Sequence, residues 1–179
     1  LVAPMYFNIP LSKYFTTYYN KMESAAADSM KRLMKKKVDL GLCVGGFNDA
    51  VLYQHGKHRL YLKKSTGFIK YSLQYGSDIV SMYAFGEETC YYNPLGGYSW
   101  CQKLADYHIS TIFLSFGKYF SGLPFSNASM HIVYGKPLVL PHIPNPTKEQ
   151  VNEWHGKYIQ TVENLFNEYK REGEVLEIF

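Results

Sequence analysis

Arginine is scarce. Of the 19 Lys and Arg residues only Arg32, Arg59 and Arg171 carry a guanidinium, and the formal charge is a mild +4. Nucleic-acid readers and phosphate clamps favour arginine for its bidentate fork, so the composition points away from a nucleic-acid partner. Cysteine is sparse too. Cys43, Cys90 and Cys101 are too few and too oddly numbered for a disulfide framework, which fits a reducing compartment. Nowhere do ~18 apolar residues run together, as a membrane-crossing helix needs; the nearest stretch, residues 112–125, is broken by Gly117, Lys118 and Gly122. No basic segment followed by an apolar stretch and a cleavage site opens the chain, so nothing in it reads as an anchor. The phosphate-cradling G-x-x-x-x-G-K-[ST] and G-x-G-x-x-G loops are missing, and Gly97-Tyr98-Ser99-Trp100-Cys101 has the wrong last residue for a nucleophile elbow. His55 and His58 have a spacing that could hold a metal but lack companion ligands, so no metal site is assigned. Asn127-Ala128-Ser129 matches a glycosylation sequon, a triplet that arises by chance and that the cysteine usage argues against.

What the chain has in excess is aromatic rings, at 17% of its 179 residues, with 17 Tyr and 11 Phe. Such side chains join an apolar body to a polar tip in tyrosine, a combination favoured at interfaces and membrane–water boundaries. The length and the 46% hydrophobic content suit one domain, or most of one, with a sizeable core.

Residues 11–21 are aromatic and helix-permissive. The run AAADSMKRLMKKK after Ser24 predicts a helix with Met30, Leu33 and Met34 on one side and Lys31, Arg32 and Lys35, Lys36 and Lys37 near its end. Those cations read as a solvated helix end or as a surface for anionic headgroups or CoA phosphates. Residues 40–44 (LGLCV), stopped by Gly45-Gly46, predict a short strand, and residues 59–62 a second one. Residues 66–74 predict a helix with Phe68, Ile69, Ser72 and Leu73 inward and Gly76 as its stop. Residues 79–85 (IVSMYAF) read as a strand covered on both faces, completing a parallel crossover with the preceding strand and helix. A further strand is expected at residues 131–134. Thr147-Lys148-Glu149-Gln150 is a capping box, and behind it Val151, Trp154, His155, Tyr158, Ile159, Val162, Leu165, Phe166 and Tyr169 recur at helical spacing. Strands alternating with helices make the fold α/β, with a mixed, largely parallel sheet flanked by helices.

Two segments stand out chemically. Gly45 and Gly46 close one strand and are followed by Asp49; Phe85-Gly86-Glu87 closes another. Glycine lets a ligand or backbone approach, and ligands in open α/β sheets gather at the carboxyl ends of strands. Taken together and in order, these blocks resemble the type 2 diacylglycerol acyltransferase family, which includes monoacylglycerol and wax-ester acyltransferases. The resemblance covers nearly the whole chain. V-G-G-x-x-E appears as Val44-Gly45-Gly46-Phe47-Asn48-Asp49, with Asp for Glu. L-R-x-R-x-G-F-V appears as Leu62-Lys63-Lys64-Ser65-Thr66-Gly67-Phe68-Ile69, with Lys63 for Arg and Ser65 for the second basic residue. V-P-x-Y-S-F-G-E appears over residues 80–87, with Ser81 for Pro. V-G-x-P-I appears as Val133-Tyr134-Gly135-Lys136-Pro137-Leu138, and the tail helix carries Pro146-Thr147, Val151, His155 and Tyr158.

The resemblance implies a glycerolipid-acyltransferase-like fold, residues 1–179 being the C-terminal part of one domain. It also implies transfer from acyl-CoA, a co-substrate with no further cofactor, to a lipid hydroxyl such as diacylglycerol's, at the endoplasmic reticulum membrane surface. The substrate-binding positions it implies are Gly45, Gly46, Asp49, Lys63, Gly67, Phe68, Phe85, Gly86 and Glu87. The family's catalytic His-Pro-His-Gly block is expected upstream of the region matching Leu1, and no such block occurs here, so no catalytic residue is assigned. That leaves an alternative, an inactive acyltransferase-like subunit serving as scaffold or lipid-binding part of a membrane protein assembly.

Overall fold

The computed structural model describes residues 23–93, 103, 116–120, 123–125 and 129–179. The stretch at 11–21, Asn127 of the sequon and Cys101 lie outside them. Helix α1 (Ala27–Lys35) holds Asp28 in its first turn and Arg32 and Lys35 in its last, in line with the helix dipole. Met30 is buried, and Met34, one turn on, packs against the same core. A short helix, α2 (Phe47–Leu52), starts directly at the glycine pair. Then come β1 (His58–Leu60), α3 (Gly67–Tyr75) and β2 (Ile79–Phe85). Helix α3 buries the four residues its spacing predicts and stops at Gly76, whose left-handed φ of 61° suits glycine. Two 3₁₀ turns (Glu87–Thr89 and Lys118–Phe120), β3 (His131–Leu138), α4 (Lys148–Tyr169) and β4 (Leu176–Ile178) complete the described elements.

Helix α4 organises the rest. Both halves of its capping box form: Gln150 N–H donates to Thr147 Oγ1 at 3.3 Å and Thr147 N–H to Gln150 Oε1 at 2.9 Å. Such a cap contributes ~0.5–2 kcal/mol. Val151, Tyr158 and Val162 join Met30, Phe68, Ile69 and Leu73 in one buried cluster, and the Phe68 and Tyr158 rings meet edge-on at 4.9 Å. Leu165 and Phe166, further along, form a second cluster with Tyr83 of β2 and Val133 of β3. At ~1.5–3 kcal/mol per large apolar side chain removed from water, this one face is a main source of stability. Buried His155 ties α4 to the end of β1, its Nε2–H donating to the Leu62 carbonyl at 2.9 Å. Burial lowers its pKa and so favours the neutral ring.

The strand pairing corrects the sequence reading. Among the described residues β1 pairs in parallel with β4, Arg59 opposite Glu177, and β2 pairs antiparallel with β3, Met82 opposite Tyr134. The expected crossover between β1 and β2 does not form, and the sheet is not largely parallel. The reason is β4, a three-residue segment 116 positions downstream whose edge completes β1, with Arg59 Nε donating to Glu177 Oε2 at 2.7 Å. Nor is β2 covered on both faces: Ser81 and Tyr83 point inward while Val80 and Met82 are 52% and 58% exposed. No strand forms at residues 40–44, although the chain alternates there as a strand would. Leu40, Leu42 and Val44 pack on the core, while Gly41 and Cys43 are exposed. An extended segment becomes a strand only when a partner edge lies alongside it.

Candidate functional site: a cleft between two glycine–acid turns

A cleft of about 590 Å³ opens beside β1 and β2, a size typical of small-ligand sites. Its lining takes in Gly45, Gly46 and Asp49, His58 and Tyr83, Tyr158 and Val162 of α4, and Glu87 and Glu88, of which Glu87 is exposed at the rim. The two turns bearing the sequence motifs therefore meet on one cavity.

The first turn is built around Asp49. Its Oδ1 accepts the Tyr61 N–H at 2.7 Å, and the Gly45 N–H adds a second backbone bond. The carboxyl packs so closely over Gly45 that a Cβ there would lie 2.1 Å from it. Gly46, at φ 54° and ψ −124°, takes the backbone into α2 through a conformation that L side chains rarely adopt. Burial raises the Asp49 pKa, with the charge of Glu87 adding to it, and the two backbone bonds offset part of the rise.

The second turn is built around Gly86, at φ 90°, where a Cβ would lie 2.0 Å from the Ser129 carbonyl oxygen. Glu88 folds back, its Oε2 accepting the Gly86 N–H at 2.8 Å. Its own carbonyl receives the Gly56 N–H at 2.9 Å, and the Tyr53 hydroxyl lies 3.0 Å from it. Glu87 is exposed at the cleft rim, and no hydrogen bond or ion pair to its carboxylate is seen among the described residues. Partial burial of its carboxyl, then the charge of Glu88, push the Glu87 pKa up. The phenols behind the rim are affected likewise. Burial pushes Tyr53 up to about 12, and it pushes Tyr158 up to about 12 with help from Asp49.

Of the residues the resemblance singles out, Gly45, Gly46, Asp49 and Glu87 line the cleft, and Gly86 sets the turn that carries Glu87. Phe85 packs behind the wall, stacked on Phe166 at 5.5 Å. Phe68 is in the core against Tyr158, while Lys63 and Gly67 are exposed outside the lining, Lys63 N–H donating to the Phe179 carbonyl at 2.8 Å. Their motif lies at the entry to α3. Lys57 is the lysine on the cleft wall. Sequence reasoning weighed His58 only for a metal spacing with His55 and singled out neither Tyr83, inside the 80–87 block, nor Glu88. The signal available was the position of His58 two residues before Leu60 in a short strand, where alternation puts both side chains on one face.

The sequence profile described as diacylglycerol acyltransferase matches residues 1–178. The chain is 31% identical to diacylglycerol O-acyltransferase 2 of Xenopus tropicalis over 76% of its own length and 42% of that protein's. With 2-acylglycerol O-acyltransferase 1 of Mus musculus it shares 28% identity over 94% of its length and 54% of the relative's. With human 2-acylglycerol O-acyltransferase 3 the figures are 32%, 72% and 41%. The chain thus spans about half the length of the curated relatives it matches. No solved structure matches it. The profile match, running essentially end to end, places the chain in the diacylglycerol acyltransferase family.

Proposed function

We propose that this chain is the C-terminal part of an acyltransferase domain that moves an acyl group from acyl-CoA to the hydroxyl of a glycerolipid, diacylglycerol or a related acceptor, in neutral lipid synthesis. In that reaction the hydroxyl oxygen bonds the thioester carbonyl carbon, the C–S bond breaks, and coenzyme A leaves as the thiol. A base must take the hydroxyl proton. The resemblance assigns that step to the histidine of His-Pro-His-Gly, a block these 179 residues do not contain. What the cleft offers is the acceptor side: Glu87 at the rim to meet a hydroxyl, Asp49 to brace the facing turn, and an apolar wall of Met82, Ala84 and Val162 for the lipid. Lys63, as an exposed point charge, and Lys57 on the cleft wall are the cations proposed for CoA phosphates.

The observation that carries this reading is the convergence of both glycine–acid turns on one cavity. A membrane-surface setting, at the endoplasmic reticulum as the resemblance implies, belongs to the same proposal. Its support is the outer face of β2 and β3, where Val80, Met82, Ile132 and Tyr134 are 52%, 58%, 45% and 66% exposed. The inactive-subunit alternative has no observation in its favour, since the relatives are named as acyltransferases. The test is transfer of a labelled acyl group from acyl-CoA to diacylglycerol by the full-length protein. Glu87→Ala, with folding intact, is expected to lower kcat/KM about tenfold, the equivalent of ~1.4 kcal/mol. Unchanged turnover removes Glu87 and with it the assignment of the acceptor to this cleft.

A further inference from the structure

His58 is the most enclosed titratable group on the cleft, 6% exposed, and no motif accounts for it. Three aromatic rings hold its imidazole: Phe166 at 5.0 Å, Phe85 at 5.9 Å and Tyr83 at 6.0 Å. Its polar atoms face three different elements. Nδ1 is 3.1 Å from the Tyr83 hydroxyl on β2 and 3.7 Å from Glu88 Oε2 on the turn after β2. Nε2 is 3.6 Å from Glu174 Oε1, on the segment leading into β4. The Tyr83 contact is a hydrogen bond, and the two carboxylates stand at ion-pair range rather than hydrogen-bond range.

Glu88 connects this cluster to the rim. The carboxylate oxygen that approaches His58 is the one that accepts the Gly86 N–H, so it fixes the turn from which Glu87 projects. An imidazole enclosed by three aromatic rings, with Nδ1 hydrogen-bonded and Nε2 facing a carboxylate, is poorly placed to take a proton from a substrate. It is well placed to hold the turn, because its own orientation is locked by packing and hydrogen bonding. We infer that His58 is a positioning residue for acyl transfer, setting the Gly86 turn through Glu88 and Tyr83 so that Glu87 is presented to the acceptor. This inference rests on the proposed reading of the cleft as the acceptor site.

The test uses the full-length protein, labelled acyl-CoA and vesicles containing diacylglycerol. His58→Phe keeps an aromatic ring between Phe166 and Phe85 and removes both nitrogens. It is expected to lower kcat/KM for the acceptor about tenfold while the KM for acyl-CoA stays as in the native protein. His58→Gln, which retains a polar donor, is expected to restore most of that loss. Glu88→Gln is expected to reproduce it, and the His58→Phe/Glu88→Gln pair to lose little more than either alone, because both act on one turn. Wild-type acceptor kinetics in folded His58→Phe overturn the inference, as does a strictly multiplicative double variant. Should His58→Phe fail to fold, Glu88→Gln and His58→Gln decide alone: a tenfold acceptor defect in the first and near-native kinetics in the second support it, and any other pattern overturns it. Glu87→Ala separates the two levels. If that variant is impaired while His58→Phe is not, only the positioning role falls; if Glu87→Ala is unaffected, the acceptor reading falls with it.

Discussion

The two turns that meet on the cleft share a recipe, glycine at a strand-like tip followed by an acid, yet they use it in opposite ways. In the first, Asp49 turns inward and spends its carboxylate on the backbone amides of Tyr61 and Gly45. In the second, the inward task falls to Glu88, which accepts the Gly86 N–H, and Glu87 is left facing the cleft. One acid holds a loop closed; two adjacent acids divide the work of holding and presenting. Motif position alone does not separate a brace from a working carboxylate. What separates them is where each carboxylate's hydrogen bonds go.

The largest effect is expected from the glycines, and it should differ between the turns. Alanine at 86 would combine a φ of 90° with a collision against the Ser129 carbonyl, a backbone atom that cannot swing aside. A loss of at least ~3 kcal/mol in denaturant unfolding is expected, strain and displaced backbone together. The three atoms nearest to an alanine Cβ at 45 all belong to the Asp49 carboxyl group. That group can rotate away, so the loss should be limited to the brace it provides. Equal costs for Gly86→Ala and Gly45→Ala would erase the distinction between a turn fixed by backbone and one fixed by a side chain.

Next comes Asp49→Ala. It leaves the Tyr61 and Gly45 amides without their acceptor, at ~1–3 kcal/mol each, and relieves some of the desolvation that raises the Asp49 pKa. A net loss of ~2 kcal/mol is expected. Gly45→Ala on top of it should add much less than it does in the native background, since the same carboxyl is the target of both. Full additivity, measured by chemical denaturation, would show that Asp49 does not hold this turn.

How much of this could be read from the residues depends on how local each cause is. The α4 cap, its apolar face and the Gly76 stop are set by neighbours three or four positions away, and they form as the spacing predicts except for Tyr169, which ends the helix exposed. The glycine–acid pairs were legible as motifs, and Gly45, Gly46, Asp49 and Glu87 from them line one cleft. Strand partners were not legible. β1 is completed by residues 176–178, a charged residue between two aliphatics too short to announce a strand, and residues 40–44 alternate correctly without forming one. His58 went unassigned because the sequence offers it first as a partner for His55. In the structure, His55 turns away to the Tyr91 carbonyl at 2.7 Å while His58 is enclosed among Tyr83, Phe85 and Phe166.

The smallest expected effect sharpens the comparison most, because its sign is opposite. Glu87 has a raised pKa in the folded protein, from partial burial first and Glu88 second. A carboxyl raised in this way favours the fold in its protonated form. That contribution is complete below the ordinary carboxylate range and is lost as pH rises through the folded value. At neutral pH the native protein therefore carries a cost that Glu87→Gln lacks. Because the residue is exposed, solvent screening reduces that cost to about a few tenths of a kcal/mol. Thermal unfolding should accordingly show Glu87→Gln slightly more stable than the native protein at neutral pH and equal to it below about pH 4, where an unperturbed carboxyl is already protonated. Asp49→Ala should remain less stable at both pH values, since its orphaned amides do not titrate. A Glu87→Gln variant that is less stable at neutral pH would mean that Glu87, like Asp49, serves to hold its turn.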